Sequence, residues 1–196
     1  MISKKISSKQ FLTLSIITFI IACNLFDGIN VQSSLYFIYV LAILISLNIL
    51  VELNIFLLIP LIFILYLNYK QKIFFGDSGI YLVSFLISYS FVFGYKNSLI
   101  SSEQILLLIA VQIYDAIRVI FKRIISGKNP THPDKIHIHH ILLNKYKLNT
   151  VIVIISSIYI LPTFIHFFLN FSVLYSLIIQ VVLYISIIFL GADERK

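Results

Sequence analysis

One short segment, residues 121–146, gathers side chains that could handle phosphate groups. Imidazole, guanidinium and ammonium groups all donate charge-assisted hydrogen bonds to phosphate oxygens. Gathered at one surface, they also create a positive potential that attracts anions. The segment therefore predicts contact with a phosphorylated ligand. Its relevant residues are His132, His137, His139, His140, Lys122, Arg123, Lys128 and Lys135, with Asp134 as its acid.

Two other interpretations of this segment remain open. A zinc site is conceivable because His137 and His140 would share a face at i, i+3 on a helix, but the segment has no Cys and only one carboxylate. A solvated loop of a membrane protein would explain the lysines. It would not explain three histidines within residues 137–140. Phosphate contact is therefore the favoured interpretation.

Two glycine-flanked aspartates are candidate metal ligands. Residues 74–79 have the sequence FFGDSG and residues 24–28 have the sequence NLFDG. Glycine lets a backbone approach a ligand closely, and Mg²⁺ usually takes one or two carboxylates together with substrate phosphates. The alternatives are a helix N-cap role for Asp77 and a polar helix end closed by Gly28 for Asp27. The sequence alone leaves both pairs of interpretations open.

Asp115 is a third acid of interest, and it follows a long apolar run. An acid inside a membrane span is a functional candidate by default. Arg118, three residues later, offers the alternative of an intrahelical ion pair that lowers the cost of both charges. Both interpretations remain open at this point.

The elements that must position these residues are membrane helices. The chain has 196 residues, of which 60% are hydrophobic and 12% charged, and its mean hydropathy is +1.01. A water-soluble domain of this length could not bury so much apolar surface. We expect an all-α, polytopic membrane bundle of about seven transmembrane helices, forming a single membrane domain over residues 1–196. The apolar runs are 11–26, 34–51, 55–69, 80–94, 103–120, 151–168 and 172–190.

Charge placement predicts how the bundle is oriented. If the His- and Lys-rich loop 121–150 is cytoplasmic and successive spans cross the membrane in alternate directions, most Lys and Arg lie on the cytoplasmic side. Apart from the N-terminal tail, only Lys96 lies on the other side of the membrane. This predicts an inner (cytoplasmic) membrane protein whose site faces the cytoplasm, and it makes nucleic acid a poor explanation of the +7 net charge. The N-terminal lysines are an exception. Residues 1–23 could also be a signal peptide, although a first spanning helix is favoured.

The alternation also brings the polar segments to one membrane face, and together they resemble a known family. This is the polyprenyl-phosphate N-acetylhexosamine-1-phosphate transferase family, whose N-x-x-D-G and F-x-G-D-x-G segments look like residues 24–28 and 74–79. The H-x-H-H form is closer to its GlcNAc-1-phosphate transferase branch than to phospho-MurNAc-pentapeptide translocase. The remaining matches are Asp115, Arg123, Gly127, Pro130, Pro133, Asp134, His137, His139 and His140.

The resemblance implies a reaction at the membrane surface. A Mg²⁺-dependent enzyme, with Mn²⁺ as the alternative metal, would transfer N-acetylhexosamine 1-phosphate from a UDP-sugar to undecaprenyl phosphate. It would release UMP and initiate synthesis of a cell-envelope polysaccharide. The implied partners are UDP-N-acetylhexosamine, the polyprenyl phosphate and the lipid bilayer.

The resemblance also implies residue roles. Asp77 would carry the metal with Asp27, and Asn24 would line the same pocket. Phe74 would stack on the uracil. The implied catalytic and phosphate-binding residues are Asp27, Asp77, His137, His139 and His140, supported by Arg123 and Lys135.

Two departures from the family pattern qualify this expectation. The family usually continues D-G-x-D-G, whereas Asn30 and Val31 stand at the last two positions here. The family's aspartate-rich D-D-x-x-D loop has no counterpart, so we expect a chain that lacks the N-terminal third of the family. The alternative function is accordingly a non-catalytic truncated relative or one half of a split transferase. Such a half would need a chain with the missing helices, or a second copy of itself.

Overall fold

The computed structural model describes residues 8–29, 31–127, 129 and 136–192. Over these ranges the chain is all-α, with eight helices and no strand. Seven of the helices are long and one is short. The helices are α1 Ser8–Phe26, α2 Gln32–Ser46, α3 Val51–Tyr69, α4 Asp77–Lys96, α5 Ser102–Ile125, α6 Ile138–Leu143, α7 Leu148–Leu169 and α8 Val173–Ala192.

The long helices match the seven predicted apolar runs. Five of them, α3, α4, α5, α7 and α8, are long and apolar enough to cross a bilayer. The apolar part of α1 and the whole of α2 are shorter, at Leu12–Phe26 and Gln32–Ser46. The prediction of a polytopic helical membrane bundle is confirmed.

The second helix ends earlier than its apolar run predicts. The run extends to residue 51, but α2 stops at Ser46. Asn48 and Leu50 adopt left-handed φ values of 55° and 38°, and the Ile49 amide donates to the Leu44 carbonyl at 2.9 Å. Because left-handed residues cannot continue an α-helix, the chain turns here despite its apolar composition.

Helix α2 lies at the centre of the bundle, with Phe37, Val40, Leu41 and Leu44 fully buried. It packs against α3, α4 and α7, while α1 packs against α4 and α5, and α5 packs against α7 and α8. Apolar side chains of α3 and α8 such as Phe56, Phe63 and Phe189 are largely exposed, as expected for surfaces that face lipid.

The segment 121–150 contains more helix than its polar composition suggests. Helix α5 continues to Ile125, which places Lys122 and Arg123 in its last turn, where the helix dipole favours cations. Helix α6 follows at Ile138–Leu143 and packs against α7 and α8. The histidine motif is therefore held against the bundle.

Candidate functional site

The two aspartate motifs meet at one end of the bundle. Asn24 lies in the last turn of α1, and Asp77 is the first residue of α4. The Asn24 side-chain amide donates from Nδ2 to Oδ1 of Asp77 at 3.1 Å, across 53 residues of sequence. Because α1 ends where α4 begins, the two motifs share one membrane face, as the predicted alternation requires.

Asp77 does not cap its own helix. The N-cap residue of α4 is Gly76, whose φ of 74° favours glycine, and no side chain makes a capping hydrogen bond there. The Asp77 carboxylate is exposed instead, beside the free amides of the helix N-terminus. The N-cap interpretation is thus not what the structure shows, and the metal role of Asp77 stays a prediction.

Asp27 lies half-buried in the loop after α1. Its pKa is raised above the ordinary value because burial disfavours the charged form, and the negative charge of Asp77 adds to the effect. A divalent cation would offset the repulsion between two neighbouring carboxylates. The pair therefore fits Mg²⁺ or Mn²⁺ chemically.

A zinc site has no support in the part of the chain that the structure describes. Among these residues no group of three or more His, Cys, Asp or Glu side chains converges to hold a metal. Zinc in proteins almost always has three or four such ligands. A two-carboxylate site completed by substrate phosphates is the arrangement that the described residues can offer.

A cavity of about 190 Å³ adjoins Asp27. Phe74 lines the cavity and is 79% exposed, so a flat aromatic ligand could stack on its ring. The role of Phe74 in binding uracil stays a prediction. The lining residues are Asp27, Gly28, Ile29, Asn68, Phe74 and Phe75.

Asn68 ties together the two loops that form this cavity. Its side-chain oxygen accepts a hydrogen bond from the Val31 amide, and its Nδ2 donates to the Ile73 carbonyl at 3.1 Å. Asn68 is buried at the end of α3. The sequence-based predictions missed this residue, although an asparagine at the end of an apolar run is the type of signal that could have identified it.

Gly28 brings the first motif into contact with the histidine motif. A Cβ atom at Gly28 would lie 1.7 Å from Nε2 and 2.0 Å from Cε1 of His139. The φ of Gly28 is not left-handed, so the residue does not close α1 as a left-handed cap. Glycine is required here because the imidazole occupies the space that a side chain would fill.

His139 itself is almost completely buried. Its ring stacks parallel to that of His137 at 5.6 Å between centroids and lies 4.3 Å from that of His140. Burial lowers the pKa of His139 to about 3, and the neighbouring His140 contributes to the shift. His139 is therefore neutral near pH 7, so any contact with phosphate would use an N–H donor rather than a charge.

Asp115 holds the histidine segment through hydrogen bonds. It is buried in α5, and its Oδ2 accepts a hydrogen bond from Nδ1 of His137 at 2.7 Å. Its Oδ1 pairs with Arg118 at 2.6 Å and also accepts from the Ile138 amide at 3.2 Å. The predicted intrahelical pair is therefore confirmed, and Asp115 also holds the histidine segment, while its functional role stays a prediction.

Of the remaining predicted site residues, two are described and one is not. Arg123 is buried in the last turn of α5, and His140 is half-buried beside His139. Lys135 lies outside the described residues, as do Asn30, Asp134 and His132. The described residues thus bring Asn24, Asp27, Asp77 and Phe74 to the same end of the bundle as His137 and His139.

The chain is similar over part of its length to transferases of known name. They are undecaprenyl-phosphate alpha-N-acetylglucosaminyl 1-phosphate transferases. The Haemophilus influenzae and Pasteurella multocida proteins are each 32% identical over 76 residues, which cover 38% of this chain and 21% of the relative. The Escherichia coli protein is 30% identical over 79 residues, covering 39% and 22%.

The resemblance predicted from the motifs is thereby confirmed, including the GlcNAc-1-phosphate transferase branch. The match spans about a fifth of the length of these relatives. No protein-family model matches the chain, and no solved structure matches it. The named relatives and the helical bundle together identify a multi-pass membrane protein related in sequence to transferases.

Proposed function

We propose that this chain carries the transfer site of an enzyme that moves N-acetylhexosamine 1-phosphate from a UDP-sugar to undecaprenyl phosphate. An oxygen of the lipid phosphate forms a new bond to the β-phosphorus of the UDP-sugar. The bond from that phosphorus to the bridging oxygen breaks, and UMP leaves with the α-phosphate. The names of the sequence relatives support this reaction class.

The observation that carries the proposal is the meeting of three separately encoded motifs. Asn24 of the first bonds to Asp77 of the second, and Gly28 of the first packs against His139 of the third. A structural role for one motif would not require contact with the other two. Convergence at one end of a membrane bundle is how such a protein builds a site.

The site's residues suit two phosphorylated substrates. Asp77 and Asp27 would hold Mg²⁺, or Mn²⁺ in its place, and the bound cation would supply positive charge against the phosphates. Phe74 would stack on the uracil, and Asn24 would orient Asp77. The histidines His137, His139 and His140 would contact phosphate or sugar oxygens, together with the cations Arg123 and Lys135.

The lipid acceptor explains why the site lies where the helices end. Undecaprenyl phosphate presents its phosphate at the surface of the bilayer, and the sugar nucleotide arrives from water. We propose that this surface is the cytoplasmic face of the inner membrane, because the positively charged segments lie on the same side as the site. The product would initiate a cell-envelope polysaccharide.

A second candidate is a chain that needs a partner for activity, or a non-catalytic relative. The observation behind it is the absence of any Asp-Asp pair in the 196 residues, together with the short match to the relatives. In the partner-dependent case an additional chain would supply the missing acids. Co-expression with a segment that carries such a loop distinguishes a partner-dependent enzyme from an inactive relative.

The test compares two acid-to-amide substitutions in membranes that contain the full chain, with any co-expressed segment held constant. Asp77→Asn should reduce Mg²⁺-dependent transfer from labelled UDP-GlcNAc at least about 100-fold, because a metal ligand is lost. Glu103→Gln is the matched control, since Glu103 is exposed in the first turn of α5, away from the site. Equal activity of both variants at saturating Mg²⁺ would remove Asp77 from the metal site.

A further inference from the structure

The carboxylate of Asp115 has a larger set of partners than an ion pair needs. Its Oδ1 accepts from Arg118 at 2.6 Å, from the Tyr184 hydroxyl at 3.0 Å and from the Ile138 amide at 3.2 Å. Its Oδ2 is left to His137, at 2.7 Å from Nδ1. One oxygen is thus occupied by groups that fix the carboxylate, and the other is directed at a histidine.

The chemistry of the pair settles where the proton lies. An ionised carboxylate only accepts hydrogen bonds, so Nδ1 of His137 must be the donor. With Nδ1 committed to Asp115, only Nε2 of His137 can reach a ligand. Second partners of this type orient imidazoles at many metal and catalytic sites, and their loss commonly reduces function about 10- to 100-fold.

We propose that Asp115, braced by Arg118 and Tyr184, is the positioning residue that holds His137 with its Nδ1 protonated and presents Nε2 to the substrate phosphates or sugar. The assignment of that substrate rests on the proposed function. The orientation of His137 does not. Tyr184 becomes a positioning residue of the site although it lies on the last helix, 69 residues from Asp115 in the sequence.

Arg118 and Asp115 also fix the backbone of the histidine segment through hydrogen bonds. Arg118 donates from Nη2 to the Ile136 carbonyl at 2.7 Å, and the Ile138 amide bonds to Asp115. Arg118 further donates from Nε to the Tyr184 hydroxyl at 2.8 Å. The residues on both sides of His137 are therefore pinned to the same group of side chains, so the ring has little freedom to turn away.

The placement of Tyr184 follows from a polar stripe on α8. Ser176, Gln180 and Tyr184 recur every four residues and are all buried, whereas much of α8 is exposed and apolar. Gln180 donates from Nε2 to the Leu107 carbonyl of α5 at 3.2 Å. Gln180 and Tyr184 therefore face α5, and the Gln180 hydrogen bond helps to fix the register at which Tyr184 meets Asp115. Polar residues inside a span are functional candidates, and here their role is to position Tyr184 against Asp115.

The first part of the test is ¹⁵N NMR of the full chain in lipid bilayers, with ¹⁵N-labelled histidine. The His137 signals are assigned by their loss in His137→Gln. We expect Nδ1 of His137 to be protonated in the parent. In Asp115→Asn the amide NH₂ would face that nitrogen, so Nδ1 should lose its proton and Nε2 should carry it. An unprotonated Nδ1 in the parent would overturn the proposal.

The second part measures turnover in Tyr184→Phe, which removes one brace and keeps the ring. We expect kcat to fall about 10-fold with little change in KM, because the substrate still binds but His137 is less well placed. Tyr114→Phe is the control: its ring lies 5.9 Å from that of Tyr184, and its hydroxyl is outside the hydrogen bonds described above. Equal kcat values in the two variants would overturn the role of Tyr184.

The two parts separate this inference from the proposed reaction. If the parent forms no lipid product but His137 shows the expected proton shift in Asp115→Asn, the proposed reaction fails and the positioning role stands. If product forms and the His137 signals do not respond to Asp115→Asn, the positioning role fails and the reaction stands.

Discussion

Replacing Gly28 with alanine should disable the site while leaving the bundle folded. The new Cβ would lie 1.7 Å from Nε2 of His139. Ordinary carbon contacts are about 3.5–4.0 Å, so the two groups must separate by about 2 Å. The φ of Gly28 is not left-handed, so alanine meets no backbone strain, and the whole cost falls on the contact with His139.

The imidazole has little room to absorb this displacement. His139 is 1% exposed and lies against the rings of His137 and His140. A displacement of about 1 Å in a reacting group can cost about 100-fold in rate, whereas overpacking typically costs about 1–3 kcal/mol in stability. We expect Gly28→Ala to lose at least about 100-fold in transfer activity, with a modest decrease in melting temperature.

The assay is formation of labelled lipid product in membranes, with thermal unfolding of the purified chain measured in parallel. Gly94→Ala is the matched control, because a Cβ there would lie 2.7 Å from Ile49 Cδ1 at the opposite end of α4 from Asp77. It should lower stability without lowering activity per folded molecule. Full activity in Gly28→Ala would refute the claim that the glycine keeps His139 in place for the reaction.

Two further predictions concern stability. Asn68→Leu removes both hydrogen bonds that join the loops around the cavity, so the free energy of unfolding should fall by about 1–3 kcal/mol. Thermal unfolding of the purified chain measures this loss, with Asn97→Leu, a change at an exposed residue, as the control. Unchanged stability in Asn68→Leu would contradict the linking role. The pKa of His139 is lowered to about 3, so the unfolded chain binds its proton first and stability should decrease as pH falls below about 6.5. A His139→Asn variant should lose less stability between pH 7 and 5 than the parent does, and equal losses would show that this imidazole is not the group responsible.

Much of the fold could be predicted because membrane helices are encoded by long apolar runs. All seven predicted runs correspond to helices, and the alternation correctly placed Asn24 and Asp77 on one face. Helix ends were less predictable because they depend on local turns. The left-handed residues Asn48 and Leu50 end α2 within an apolar stretch, and composition alone does not predict a helix end there.

The contacts that build the site could not be read from the sequence. Tyr184 lies in an apolar span, where a tyrosine is usually attributed to the membrane interface. Its hydrogen bond to Asp115 depends on how α8 packs against α5. Likewise, Gly28 suggested a helix end, and only the position of α6 shows that it makes room for His139. Such long-range pairings arise from tertiary packing, which a local pattern does not encode.

The most direct test of the central claim is the balance of products from UDP-GlcNAc labelled in both the uridine and the sugar. Membranes containing the full chain are supplied with undecaprenyl phosphate and Mg²⁺. The proposed reaction predicts one UMP released for each sugar phosphate that enters the lipid fraction, with both products lost on chelation of Mg²⁺. Release of UDP instead of UMP, or no lipid-linked product even with an Asp-Asp-containing segment co-expressed, would contradict it.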